Sequence, residues 1–289
     1  MNNKQALDTI NILVATDDGG CALLAALLVS IGKTTNSNVC VYIFQQSLSK
    51  TNQEKLIQAA QTVNVQIKFV EVTANFDFYV PKQWPLPTLY RLTADNILSS
   101  LDKIIYLDID TLVYQDIRSL WEIDLGDNYL GACWGMDIHR NLGVLDPDKK
   151  VKEYFNAGVL LMNLKKMRED SIGQKCIQFM EKFNDELHAP DQDALNVICA
   201  GKIKPLPICW NWYISLERRS KRKLKMLYKD YLSENAAIVH FYSQYKPHRF
   251  FIYLKHPIAT YRIWKKSRFF WKCLAQTNYT MNHEIKIKV

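Results

Sequence analysis

The 289 residues are 48% hydrophobic and 23% charged, which excludes a disordered chain and fits one large domain or one domain plus an appendage. The formal charge of +8 is uneven: residues 217–225 (ERRSKRKLK) and 261–272 (YRIWKKSRFFWK) concentrate the cations, which reads by default as a solvated basic face and otherwise as a contact for something acidic, with the interleaved rings of the second run also suiting a membrane interface. The longest apolar run, residues 21–31, is too short to span a bilayer and follows Asp17 and Asp18, so neither a signal peptide nor a membrane span is expected. Seven scattered cysteines without C-x-x-C spacing argue against a disulfide framework or a zinc site and predict reduced core residues. No nucleic-acid-binding signature accompanies the basic runs, so nucleic acid is not an expected partner.

Residues 10–16 (INILVAT) are a short β-branched run, followed by polar DDGG and then CALLAALLVSIGK, long enough for a helix. Residues 38–44 (NVCVYIF) predict a second buried strand, and TNQEKLIQAAQ after it a helix starting with Thr51 and Glu54 at capping-box spacing. Residues 65–72 predict a third strand. Strands alternating with helices predict an α/β fold with a mostly parallel sheet, whose ligands sit beyond the carboxyl ends of the strands. A loop containing Pro81, Pro85 and Pro87 leads to a helix over about 88–99 and then to the central strand KIIYLDID. NYLGACW and residues 154–164 (YFNAGVLLMNL) read as further strands. Ile172, Cys176, Phe179, Met180 and Phe183 fall at helical spacing and form a core stripe. A short helix over about 191–199, a strand over 236–242 (AAIVHFY) and a basic, aromatic tail complete the chain.

Asp108 and Asp110, in YLDIDTLVY, stand where chemistry is expected, at the end of that central strand. Strand side chains two apart share a face, so both carboxylates could reach one point and hold a divalent cation such as Mn2+ or Mg2+ against a diphosphate. The same residues equally suit a strand end followed by a turn, a position that Asp favours for its own hydrogen bonds.

ILVATDDGG, YLDIDTLV, YFNAGVLLMNLKK, PDQDALN and VHFYSQYKP occur in this order, and with them residues 10–247 resemble glycosyltransferase family 8. The likeness is greatest to its bacterial lipooligosaccharide galactosyltransferases and lipopolysaccharide glycosyltransferases. It implies a GT-A fold and a retaining transferase that moves galactose or glucose from a UDP-sugar to a lipid-linked saccharide, with Mn2+ as cofactor and Mg2+ as the alternative. Carried over by motif, Asp108, Asp110 and His240 would hold the metal, and Lys246 would lie against the diphosphate. Ala15 and Asp17 would meet the base, with Ile109 also in the donor site. Arg91, Asn156, Asp191 and Gln192 would surround the donor sugar, and Arg91, Asp191 and Gln192 would serve catalysis. Because the amide oxygen of Gln192 is neutral and a poor nucleophile, same-face attack is favoured over a covalent intermediate. The chain departs from its relatives at Gly19 and Gly20, where many carry Asn and an aromatic ring, and at Ser243, where Gly is common.

Residues 1–248 are thus expected to form the catalytic domain, and 249–289 a basic, aromatic segment for association with an anionic membrane. Arg249, Lys255, Arg262, Lys265, Lys266, Arg268 and Lys272 supply the charge, and Phe269, Phe270 and Trp271 the rings suited to a headgroup boundary. The alternative is that the rings pack back on the domain. The expected location is cytoplasmic, peripheral on the inner face of the cell membrane. Other functional readings are transfer to a protein or storage polysaccharide, and a non-catalytic sugar-nucleotide or membrane-binding module.

Overall fold

The β-branched run Ile10–Ala15 forms β1 at the centre of a seven-stranded sheet, in a computed structural model that describes residues 8–78, 84–135, 140–213, 235–242, 247 and 257–280. The helix α1 (Cys21–Thr34) follows, then β2 (Val39–Gln45), α2 (Lys50–Gln61) and β3 (Gln66–Glu71). β1, β2 and β3 are parallel, and β1 also pairs in parallel with β4 (Lys103–Leu107). The order across the sheet is β3-β2-β1-β4-β7-β6-β8, with β6 spanning Leu130–Trp134, β7 Phe155–Asn163 and β8 Ile203–Pro205. Only β7 runs against its neighbours. Its reversal matters for the site, because it sets the start of β7, the FNAG sequence, beside the carboxyl end of β4, with Leu107 opposite Val159.

Two cores cover the faces of this sheet. On one, α1 is buried from Leu24 through Ile31, because it lies between the sheet and three further elements: α2, the short strand β5 (Thr111–Val113) and the last helix. A helix apolar on every side needs that enclosure. On the other face lie α5 (Leu164–Glu169), α6 (Ile172–Lys182) and α7 (Pro190–Ile198), with Ile172, Cys176 and Met180 buried as their spacing predicts. The cysteines are all free, six of them buried and Cys209 half-buried.

Three local expectations are corrected. Residues 88–99 do not form one α-helix: a 3-10 coil runs over Leu86–Thr93, α3 covers only Ala94–Ile97, and the next helical turn, α4 (Arg118–Trp121), comes only after β5. The hydroxyls of Thr88 and Thr93 donate to carbonyls three residues back, Pro85 and Tyr90, and the Arg91 Nε–H does the same to Thr88, bonds that favour the tighter coil. α2 is capped by Ser49, not Thr51, since Ser49 Oγ accepts from Asn52 N–H and is itself tied to Asp18 from the neighbouring loop. The strand expected over 236–242 is shorter, β10 (Ile238–His240). It leaves the main sheet for a three-stranded one between β5 and β9 (Trp212–Tyr213).

Pro257–Leu274 forms α8, and beyond it Tyr279 hydrogen-bonds the Asn52 backbone at 3.1 Å. The rings do not all face outward. Phe270 is 1% exposed and packs with Cys273 and Leu274 in the α1 core, while the Phe269 ring lies 4.7 Å from that of Tyr114. Phe270 therefore does not present a face to a headgroup boundary, because the core it shares with α1 encloses the ring. Lys265, Arg268 and Lys272 are on the exposed side. Among the described residues, no helix is long and apolar enough to cross a membrane.

Candidate active site

β4 ends at Leu107, so Asp108 and Asp110 do not share a strand face; they occupy a tight turn that leads into β5. The Thr111 N–H donates to the Asp108 carbonyl at 3.1 Å, and the Thr111 hydroxyl donates to the same oxygen at 2.7 Å. The turn reading of the sequence is right for the backbone, and the shared-site reading is right for the side chains. β5 then pairs with β10 so that Thr111 lies opposite His240. As a result His240 Nε2 stands 3.2 Å from Asp110 Oδ1 and 3.6 Å from Asp108 Oδ2. One ligand atom from each of Asp108, Asp110 and His240 fits within 4.8 Å of the others. A Cβ on Gly158 would overlap the His240 ring and stand 2.7 Å from Asp108 Oδ2, so only glycine leaves this space. Two carboxylates and an imidazole nitrogen are a donor set suited to Mn2+ or a similar divalent ion, and the residues present fit that role.

Arg91 ties this cluster to α7. The guanidinium is 2% exposed, with Nη2 2.8 Å from Asp108 Oδ1, Nε 3.1 Å from Asp191 Oδ2 and Nη1 donating to the Ala157 carbonyl. It lies 4.0 Å over the Tyr106 ring, whose hydroxyl also donates to Asp108 Oδ1 at 2.8 Å. Burial opposes the Arg91 charge, yet Asp108 and Asp191 together raise its pKa. Burial raises the Asp191 carboxyl above its ordinary range, with Arg91 pulling the other way. Burial also lifts the Tyr106 phenol, so it stays a donor to Asp108.

The other residues named from the sequence fall around this core. Gln192 Oε1 accepts from Asn156 Nδ2 at 2.8 Å and from the Ala157 N–H at 3.0 Å, and its Nε2 donates to the Tyr154 hydroxyl. Ala15 ends β1, and Asp17 Oδ1 accepts from the Gly20 N–H at 3.0 Å, closing the turn before α1. Ile109 fills the space beside Gly20, where an added Cβ would overlap both Ile109 Cδ1 and Thr16 Oγ1. Gly20 is thus fitted to its neighbours, and a ring there would have to displace Ile109. Lys246 and Ser243 lie outside the described residues. Sequence reasoning did not single out Asn211, Tyr106, Tyr154 or Gly158. For Tyr106, Tyr154 and Gly158 the signal was present, since each sits inside a quoted motif.

The model of the family described as Glycosyl transferase family 8 matches residues 11–250. A Haemophilus influenzae glycosyltransferase-like protein is 33% identical over 201 residues, 68% of this chain and 61% of that one. The Escherichia coli K12 lipopolysaccharide 1,2-glucosyltransferase is 28% identical over 59% of this chain and 52% of its own. The Salmonella typhimurium lipopolysaccharide 1,3-galactosyltransferase is 23% identical over 96% and 84%. Against the first two of these relatives the chain spans only about half to three-fifths of their length. Among solved structures, the galactosyltransferase LgtC in complex with donor and acceptor sugar analogs shares the fold. Its TM-score is 0.76 at 24% identity, over 94% of this chain and 98% of LgtC. With the family model matched across the elements that bear Asp108, Asp110, Asn156, Asp191 and His240, the chain belongs to glycosyltransferase family 8.

Proposed function

We propose that this protein is a retaining hexosyltransferase that moves galactose or glucose from a UDP-sugar to a saccharide of the lipopolysaccharide core. The observation that carries the reading is the convergence of Asp108, Asp110 and His240 Nε2 at the carboxyl end of β4. When bound there, a divalent ion would neutralise the diphosphate and assist departure of the nucleotide. The residues around it orient the donor. Arg91 holds Asp108 and Asp191 apart at fixed positions, and the half-buried Gln192 and buried Asn156 place amide groups where sugar hydroxyls need partners. Gln192 Oε1 already accepts two N–H groups, which makes a neutral amide oxygen a still poorer nucleophile. Same-face attack, with the departing phosphate oxygen taking the acceptor's proton, is therefore the favoured course.

Mn2+ and a panel of UDP-hexoses test the reading through slow UDP release. UDP-galactose or UDP-glucose should be hydrolysed, the rate should vanish with chelator, and added Mn2+ should restore it. No release from any UDP-hexose would count against transferase activity. A second element of the proposal is that residues 249–289 help hold the enzyme on the cytoplasmic leaflet, supported by the exposed Lys265, Arg268 and Lys272 on α8. Co-sedimentation with vesicles containing anionic lipid, weakened by charge reversal at Lys265 and Lys272, is the expected result.

A further inference from the structure

Asn211 is fully buried, and its Oδ1 lies 2.9 Å from His240 Nδ1. The two ends of an amide have the same shape, so neighbours must fix which end faces which. Here the backbone of β7 fixes them one after another. The Ala157 N–H can only donate, so the Gln192 atom 3.0 Å away is oxygen. That oxygen faces Asn156 at 2.8 Å, which makes the facing atom Nδ2. The Gly158 N–H donates to the other end of Asn156 at 2.9 Å, which identifies it independently as Oδ1. Asn156 Oδ1 in turn faces Asn211 at 2.8 Å, so Asn211 presents Nδ2 to it and Oδ1 to the imidazole.

An amide oxygen opposite Nδ1 requires Nδ1 to carry a proton. Nε2 is then the nitrogen that faces Asp108 and Asp110 and is left to offer a lone pair to an ion between them. Turning the ring over would put a carbon against Asn211 Oδ1 and leave that buried oxygen without a donor, a cost a buried acceptor rarely bears. We propose that Asn211 is a positioning residue for His240: it fixes the tautomer and tilt that offer Nε2 to a divalent ion, with Gln192 and Asn156 relaying that choice from the β7 backbone. Asn156 and Gln192 then serve two tasks, shaping the donor site and orienting a metal ligand. The proposal rests on the metal-site reading above.

The test uses the full chain. In histidine-15N-labelled protein, His240 Nδ1, assigned by signals lost in His240→Gln, should be protonated both without and with Mg2+. Mn2+ titration in the presence of UDP should show affinity falling about 10- to 100-fold in Asn211→Leu, the usual effect of losing a partner behind a metal-bound histidine. Asn211→Asp, which keeps an acceptor for Nδ1–H but gives up the donor to Asn156 Oδ1, should recover part of that loss. A merely structural asparagine would not distinguish the two variants in this way. An unprotonated Nδ1, Mn2+ binding by Asn211→Leu equal to the unaltered protein's, or equal losses in both variants would each overturn the proposal while leaving the metal reading standing. No Mn2+ binding by the unaltered protein would sink both. The labelled spectrum needs no substitution at 211 and remains decisive if those variants fail to fold.

Discussion

Gly158 and His240 occupy what would be the same space if residue 158 carried a side chain: the imidazole fills the volume of the missing Cβ. The site is therefore built around a glycine on one strand of the main sheet and a histidine on the small one. Gly158→Ala should displace His240, costing about 1–3 kcal/mol of stability through overpacking. It should also weaken Mn2+ binding although every ligand atom remains. Denaturant unfolding and Mn2+ titration measure the two effects separately, and normal Mn2+ affinity in this variant would contradict the geometry.

Asp108 and Asp110 are both expected to be essential for transfer, and loss of the Asp108 carboxylate should also cost stability. Asp108 accepts from Arg91 and Tyr106, so Asp108→Ala leaves two buried donors short of a partner and should cost roughly 1–3 kcal/mol. Asp108→Asn, which keeps one acceptor oxygen, should lose activity with a smaller stability loss. Circular dichroism melts alongside UDP-release assays would reveal equal losses if this distinction were mistaken.

His240→Ala should weaken Mn2+ binding less than either aspartate change, because two carboxylates still balance the charge. Titration of Mn2+ against the three variants gives the ranking directly; an unshifted His240→Ala curve would make the histidine purely structural.

Arg91→Met should be strongly destabilising, because Asp108 and Asp191 lose the cation between them. Breaking a buried pair costs roughly 3–5 kcal/mol, and the 26% exposure of Asp108 favours the lower end. Mn2+ should restore part of the loss by pairing with Asp108. A melting temperature that is low without metal and rises more with Mn2+ than in the unaltered protein is the expected pattern.

Phe270→Ala should cost about 3–5 kcal/mol, since the ring is in the core of the α1 face. Truncation before residue 257 should correspondingly impair folding and not merely release the protein from vesicles. A stable truncated protein with full UDP-sugar hydrolysis would mean that α8 is dispensable to the core.

What the sequence made legible was local. β1, β2 and β7 are apolar runs bounded by polar residues, so their existence needs no tertiary information. The Asp108, Asp110 and His240 set came through motifs that resemble the family, but its geometry did not, because pairing of Thr111 with His240 joins residues far apart in the chain. The Ser49 cap was missed since Thr51 is an equally good hydroxyl by local rules, and the deciding partner, Asp18, comes from another loop. Asn211 had no signal at all: an asparagine between two tryptophans reads as a turn until its buried partners are seen.

The enclosure of α1 by α8 sets an order on biosynthesis. α1 leaves the ribosome well before α8, because all of residues 35–256 are made between them. At roughly 5–20 residues per second, α1's outer face stays uncovered for on the order of ten seconds or more. A helix apolar on every side is a poor thing to expose for that long. Nascent chains stalled before residue 257 should therefore be captured by holdase chaperones, and full-length chains released from them once the last helix docks.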